Sequence, residues 1–129
     1  MSSFAYPKSG RLSRRKQILM LFREGQVRVS FPLLLRFLPQ SHPQHQLLVS
    51  VPKRNFKKAV DRNRLKRQIR ELYRLRKEKL LPLQEKQIFL NMGLFYVGKW
   101  MGSFQEMGRA WERLLNGLIK TYLKPPIRD

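Results

Sequence analysis

The sequence contains no cysteine, which excludes disulfides and thiolate metal sites outright. That absence fits the reducing cytoplasm, the location expected of this chain. Acidic residues are nearly as scarce: Glu24, Asp61, Glu71, Glu78, Glu85, Glu106, Glu112 and Asp129 are all there are. A nuclease working through two metal ions needs carboxylates converging on ions ~3.5–4 Å apart. Glu71 and Glu78 share a predicted helix face, but seven residues of helix separate them by about 10.5 Å. Each also has basic neighbours at helical spacing, so ordinary surface pairing accounts for both. The two histidines, His42 and His45, fall in a loop rich in Pro, Gln and Ser. There, solvent exposure is expected rather than metal ligation or a place in a serine triad. No catalytic side chains, no metal site and no protein-bound cofactor are expected. Long apolar runs are missing too: 33–38 and 92–97 are apolar, but strand-sized and far short of the ~18 residues that span a bilayer. No membrane partner is expected.

What the chain has in excess is positive charge. Lys and Arg number 28 against 8 acids, for a net charge of +20 in 129 residues and a pI near 11.5. Solubility alone asks for a net charge of only ~2–8. Compacting so much like charge costs self-repulsion, which a polyanionic partner offsets, and nucleic acid fits better than a membrane surface. The length suits one domain. Residues 1–23 contain no acid and several Arg and Ser. A transit peptide would read this way, but no apolar core segment follows and helix signals begin by Leu12. A basic arm over residues 1–10 is therefore expected, ahead of a domain over 11–123 and a tail over 124–129.

Within the domain, Ser13 is placed to cap a helix that runs to Glu24 and stops at Gly25. Ile18, Leu19, Leu21 and Phe22 supply its apolar positions. Strands are predicted over Val27–Val29, Leu33–Leu38 and Leu47–Val51, with a polar loop from Pro39 to His45. A second helix is predicted over Ala59–Lys79, with Leu65, Ile69 and Leu72 on one face. Asn63, Lys66, Arg67, Arg70, Arg74 and Lys77 gather on a neighbouring face. Residues 81–91 read as a linker with room for some helix, and Met92–Val97 as a fourth strand flanked by Gly93 and Gly98. Ser103 and Glu106 form a capping box for a last helix, whose stripe of Met107, Trp111, Leu114, Leu115, Leu118 and Tyr122 reads as core. The order is α-β-β-β-α-β-α, an α+β fold with one four-stranded sheet packed by helices.

Residues 53–79 concentrate the charge, with 13 Lys or Arg and 3 acids. A solvated helix face is normally laced with both signs. Acids are too few for that here, and crowded cations on one face are unfavourable unless phosphates lie against them. Lys53, Arg54, Lys57, Lys58, Arg62, Arg64, Lys66, Arg67 and Arg70 are the candidate phosphate contacts. Asn63 can bond RNA or pin the helix start.

The run Val49-Ser50-Val51-Pro52-Lys53-Arg54, continued by Ala59, Arg62-Asn63-Arg64, Lys66-Arg67 and Arg70-Glu71, closely resembles the signature of the bacterial ribonuclease P protein family. Phe22-Arg23-Glu24-Gly25 resembles the Phe-x-x-Gly that closes that family's first helix, and the derived element order matches its fold over roughly 11–123. Ile18 stands where the family often carries a second aromatic.

The resemblance implies a left-handed βαβ crossover, which sequence patterning would not suggest. It implies a protein subunit of an endoribonuclease whose catalyst is a large RNA with bound magnesium, cutting the 5′ leader from precursor tRNA. The basic helix region would dock on that RNA. A cleft between the first helix and the sheet, with Ile18, Phe22 and Arg36, would hold the leader. Phe22 is either a stacking surface there or plain core. No protein partner is evident. A ribosomal structural protein would be as basic and as free of catalytic residues, and the 49–71 signature argues against it. A DNA-binding protein is disfavoured because the 59–79 helix follows a sheet and lacks a helix-turn-helix partner.

Overall fold

Strand alternation decides how the layers stack. In the computed structural model, which describes residues 11–123, β2 (Leu33–Gln40) sends Leu33, Leu35 and Phe37 to one side, all fully buried. β4 (Phe89–Tyr96) sends Leu90, Met92, Leu94 and Tyr96 to the same side. Leu47 and Val49 of β3 (Gln46–Ser50) complete that face. Against it pack Leu65, Ile69, Leu72 and Tyr73 of α2 (Ala59–Leu75) and the stripe of α4 (Phe104–Tyr122), centred on the buried Trp111. With β1 (Gln26–Ser30), the four strands form one sheet in the order β1-β2-β4-β3. β1/β2 and β2/β4 are antiparallel, while β3 and β4 are parallel neighbours joined through α2. The expected arm over 1–10 and tail over 124–129 lie outside the described residues.

Among the described residues, the opposite face of the sheet is covered only in part. α1 (Arg15–Glu24) packs there against β2 and β4, with Leu21 fully buried. The helix starts one residue later than Ser13 as cap would give, and no side chain caps it. The cause lies upstream: Arg11 bridges to Leu47, and Leu12 N–H donates to the Leu47 carbonyl at 3.0 Å. The chain is thus extended along the β3 edge, with Leu12 buried, until it turns into α1. Gly25 ends the helix as expected, and steric room is the reason. A Cβ there would sit 2.4 Å from the Leu21 carbonyl oxygen and 3.2 Å from that of Phe37.

The second helix is shorter than its sequence pattern. α2 closes at Leu75, and a 3₁₀ turn over Lys77–Leu80 leads into α3 (Leu81–Glu85). The tightening carries Leu80 and Leu83 into the core, where both are fully buried. β4 begins at Phe89, three residues ahead of the expected start, and Gly93 lies inside it rather than at its edge. The early start has a partner in His45. That side chain is only 3% exposed, not solvated as its polar loop suggested, and its Nδ1 accepts the Leu90 N–H at 3.0 Å. The capping residue of α4 is the expected one, since Ser103 Oγ accepts the Glu106 N–H at 3.0 Å.

Candidate nucleic-acid interface

β3 leaves the sheet into a turn that displays Lys53, Arg54, Lys57 and Lys58, all exposed. Phe56 anchors that turn, buried edge-on against Tyr96 with ring centroids 5.6 Å apart. Arg62, one turn into α2, reaches back and donates Nη1 hydrogens to the carbonyls of Phe56 at 2.7 Å and Lys57 at 2.9 Å. Its guanidinium therefore holds the turn shut, a role that charge counting does not reveal. Asn63, Arg64 and Arg67 are exposed on the next turn, with Lys66 and Arg70 half-buried. No side chain caps the start of α2, which leaves Asn63 without the helix-pinning role open to it in the sequence.

The distribution of carboxylates sorts these cations. Arg74 makes a two-pronged pair with Glu71, at 2.7 and 3.0 Å, and the pair holds the Glu71 carboxyl below its usual range. Glu112 on α4 takes both Arg76 and Lys79, and the Lys79 hydrogen bond holds its carboxyl low in turn. Among the described residues, no carboxylate lies within ion-pair distance of Lys53, Arg54, Lys57, Lys58, Arg64, Lys66 or Arg67. Arg74, Arg76 and Lys79 in the C-terminal part of the basic stretch thus have carboxylate partners within the molecule, while those seven cations have none among the described residues.

A second constellation lies under α1. Phe22 is 44% exposed, so it is not core. Its ring meets Phe95 edge-on at 5.4 Å, and the Arg36 guanidinium lies 4.8 Å from its centroid. Arg36 also donates to the Phe22 carbonyl at 3.4 Å. Register explains the grouping: Arg36 pairs with Gly93, and Leu34 with Phe95, on the face away from the core. A Cβ at Gly93 would come within 2.7 Å of the Phe95 ring, so glycine there leaves room for the aromatic floor. Ile18 lies half-buried on the same helix. Phe95 was not singled out in the sequence, and Gly93 was read there only as a strand-end signal. The available signal was a glycine two residues before an aromatic in a strand whose other face is wholly apolar.

Among the described residues, no three of His, Asp and Glu come together as a metal-binding group, and no helix is long and apolar enough to cross a membrane. The sites present are cationic and aromatic, suited to phosphates and bases.

Comparison with known proteins gives the same direction. The family described as Ribonuclease P matches residues 6–116. The ribonuclease P protein component of Porphyromonas gingivalis is 38% identical over 118 residues, covering 88% of this chain and 86% of the relative. That of Chlamydia trachomatis is 35% identical over 74 residues, 57% of this chain and 62% of the relative. Among solved structures, the RNase P protein of Staphylococcus aureus superposes with a TM-score of 0.71 at 18% identity, covering 86% of this chain and 96% of that one. The RNase P protein of Thermotoga maritima gives 0.69 at 22% identity, covering 83% and 96%. These two likenesses bear on the fold.

Proposed function

The chain belongs to the ribonuclease P protein family and is the protein subunit of that ribonucleoprotein, and on that premise we propose that its two cationic surfaces hold two different RNAs. Lys53, Arg54, Lys57, Lys58, Arg64, Lys66, Arg67 and Arg70 contact phosphates of the ribonuclease P RNA, with Asn63 bonding alongside them. Arg62 orients the turn that presents the first four. The cleft of Phe22, Arg36 and Phe95, with Ile18 at its helix side, takes the single-stranded 5′ leader of precursor tRNA. The chemistry, and the magnesium ions it uses, belong to the RNA subunit, and the protein's part is to bind and position. A cytoplasmic location goes with that work.

One observation carries the division of labour: Phe22 is open to solvent while its ring is propped by Phe95 and covered by Arg36. A half-exposed ring beside a guanidinium offers a base one stacking face and its phosphate one cation. Structural ribosomal use of the basic surface would not need such a pocket. Phe22→Ala tests the reading through a ratio. Affinity of the assembled enzyme for precursor tRNA should fall about fivefold or more, the loss of one stacked base. Affinity for mature tRNA and for the ribonuclease P RNA should stay unchanged, as should the denaturation midpoint. A lowered midpoint with an unchanged precursor-to-mature ratio would remove Phe22 from the leader site.

A further inference from the structure

The end of the sheet where β3 gives way to the basic turn carries a second aromatic recess that the leader cleft does not include. β3 and β4 are parallel neighbours, with Ser50 opposite Phe95, so both strands leave the sheet at the same end. The β1–β2 turn, with Phe31, lies there too, since Leu33 pairs with Tyr96. Phe31, Tyr96, Trp100, Met101, Glu106 and Arg109 line a recess of about 450 Å³, within the ~300–1,000 Å³ usual for small-ligand sites. Trp100 is 80% exposed and Phe31 61%. Large rings this open on a monomer's surface commonly mark an interaction site.

The recess is held in shape from below. Tyr96 Oη donates to the Trp100 carbonyl at 2.6 Å and accepts the Gly102 N–H at 2.8 Å. A Cβ at Gly102 would come within 2.9 Å of that same oxygen. Tyr96 is also the ring against which Phe56 packs. One tyrosine therefore positions the Trp100 loop on one side and the Lys53–Lys58 turn on the other. Lys99 and Arg109 add exposed cations around the rings.

We propose that Trp100 and Phe31 form a second RNA contact, which stacks an unpaired nucleobase of the ribonuclease P RNA whose neighbouring phosphates the Lys53–Lys58 turn binds. Charge complementarity selects the occupant: Lys99 and Arg109 outnumber the one carboxylate of the recess, Glu106, and among the described residues neither cation is ion-paired, which favours a polyanion carrying π-faces over an apolar protein surface. This inference rests on the assignment of the basic turn to the RNA subunit, and it is independent of the leader cleft.

The chain supplies its own reporter, because its two tryptophans are Trp100 and the fully buried Trp111. Full-length protein is titrated with ribonuclease P RNA while tryptophan emission and binding are followed together. Precursor and then mature tRNA are added to the saturated complex. The expected result is quenching of Trp100 that saturates with the RNA subunit alone and does not change when either tRNA is added. Trp100→Phe should abolish the quenching while keeping near-normal affinity, and Trp100→Ala should weaken binding about fivefold or more. RNA bound tightly with unchanged Trp100 emission overturns this inference and leaves the basic surface standing. Quenching that appears only with precursor tRNA gives the recess to the leader, and quenching that follows protein concentration without RNA gives it to a second copy; both overturn the proposal. Failure of the wild-type protein to bind the RNA overturns the basic-surface assignment itself.

Discussion

Arg62 shows why a cation count is not a contact map. Both hydrogens of its Nη1 face backbone carbonyls of the turn it closes, and guanidinium geometry suits that fork in a way an ammonium does not. Arg62→Ala should therefore cost about 1–3 kcal/mol of folding stability, as the two carbonyls lose their donor. RNA affinity should fall with it, through a loosened turn. Arg62→Lys keeps the charge and should recover only part of either loss. Urea midpoints beside RNA affinities check this, and a wild-type midpoint in the alanine variant would contradict it. His45 teaches the complementary lesson. Burial, aided by nearby Lys77, holds its pKa at about 4 rather than the usual 6.5. Above pH 6.5 it is neutral folded and unfolded. Between 6.5 and 4 the unfolded chain takes up a proton that the folded chain refuses, so stability drops by about 3 kcal/mol in all. Below 4 both states carry the proton and the loss levels off. His45→Ala should start less stable at pH 7, with Leu90 N–H lacking its acceptor, and should show a shallower decline to pH 4. Parallel curves for the two proteins would rule the histidine out. Neither role was legible in the sequence, because each depends on where a backbone group falls, in one case 45 residues away.

At the scale of elements, periodicity read well where one face is buried and badly where the chain changes direction. The stripe of α4 and the apolar face of α2 were visible as patterns, and β2 as a short apolar run, though not which of its residues face the core. The end of α2 was not, because helix-forming residues continue past Leu75 while burial of Leu80 and Leu83 tightens the chain. Nor was the start of β4, where Phe89–Asn91 gain their strand partners from Gln40, Pro39 and Leu38. What the helix pattern did give was a basic face, and the carboxylates of Glu71 and Glu112 divide it. Six phosphate contacts, shared between the Lys53–Lys58 turn and the helix face, would set a log–log salt slope for RNA binding of about −4 to −5. Lys66→Ala and Arg67→Ala should each flatten that slope by nearly one unit and leave the fold intact. Lys79→Ala, whose partner is Glu112, should leave it close to wild type. Equal slopes in the wild type and all three variants would move the RNA interface elsewhere.

Over the whole molecule, the charge of +20 is borne by a fold whose core side is closed and whose other face is left partly open under α1. The family and the fold class were legible because the 49–71 run joins a motif to the strand and helix that must carry it. The cleft floor was not, since Gly93 and Phe95 acquire meaning only opposite Arg36 and beneath Phe22. Precursor tRNA and the ribonuclease P RNA are both polyanions that repel one another, and magnesium or a cationic protein can offset that repulsion. The protein should therefore matter most when magnesium is scarce. The decisive measurement is cleavage of precursor tRNA at low magnesium by ribonuclease P RNA alone, by the protein alone and by the two together. The protein alone should cut nothing, the RNA alone should be slow, and the mixture should be fast, with the advantage fading as magnesium is raised. Cleavage by rigorously RNA-free protein, or a mixture no faster than the RNA alone, would contradict the assignment.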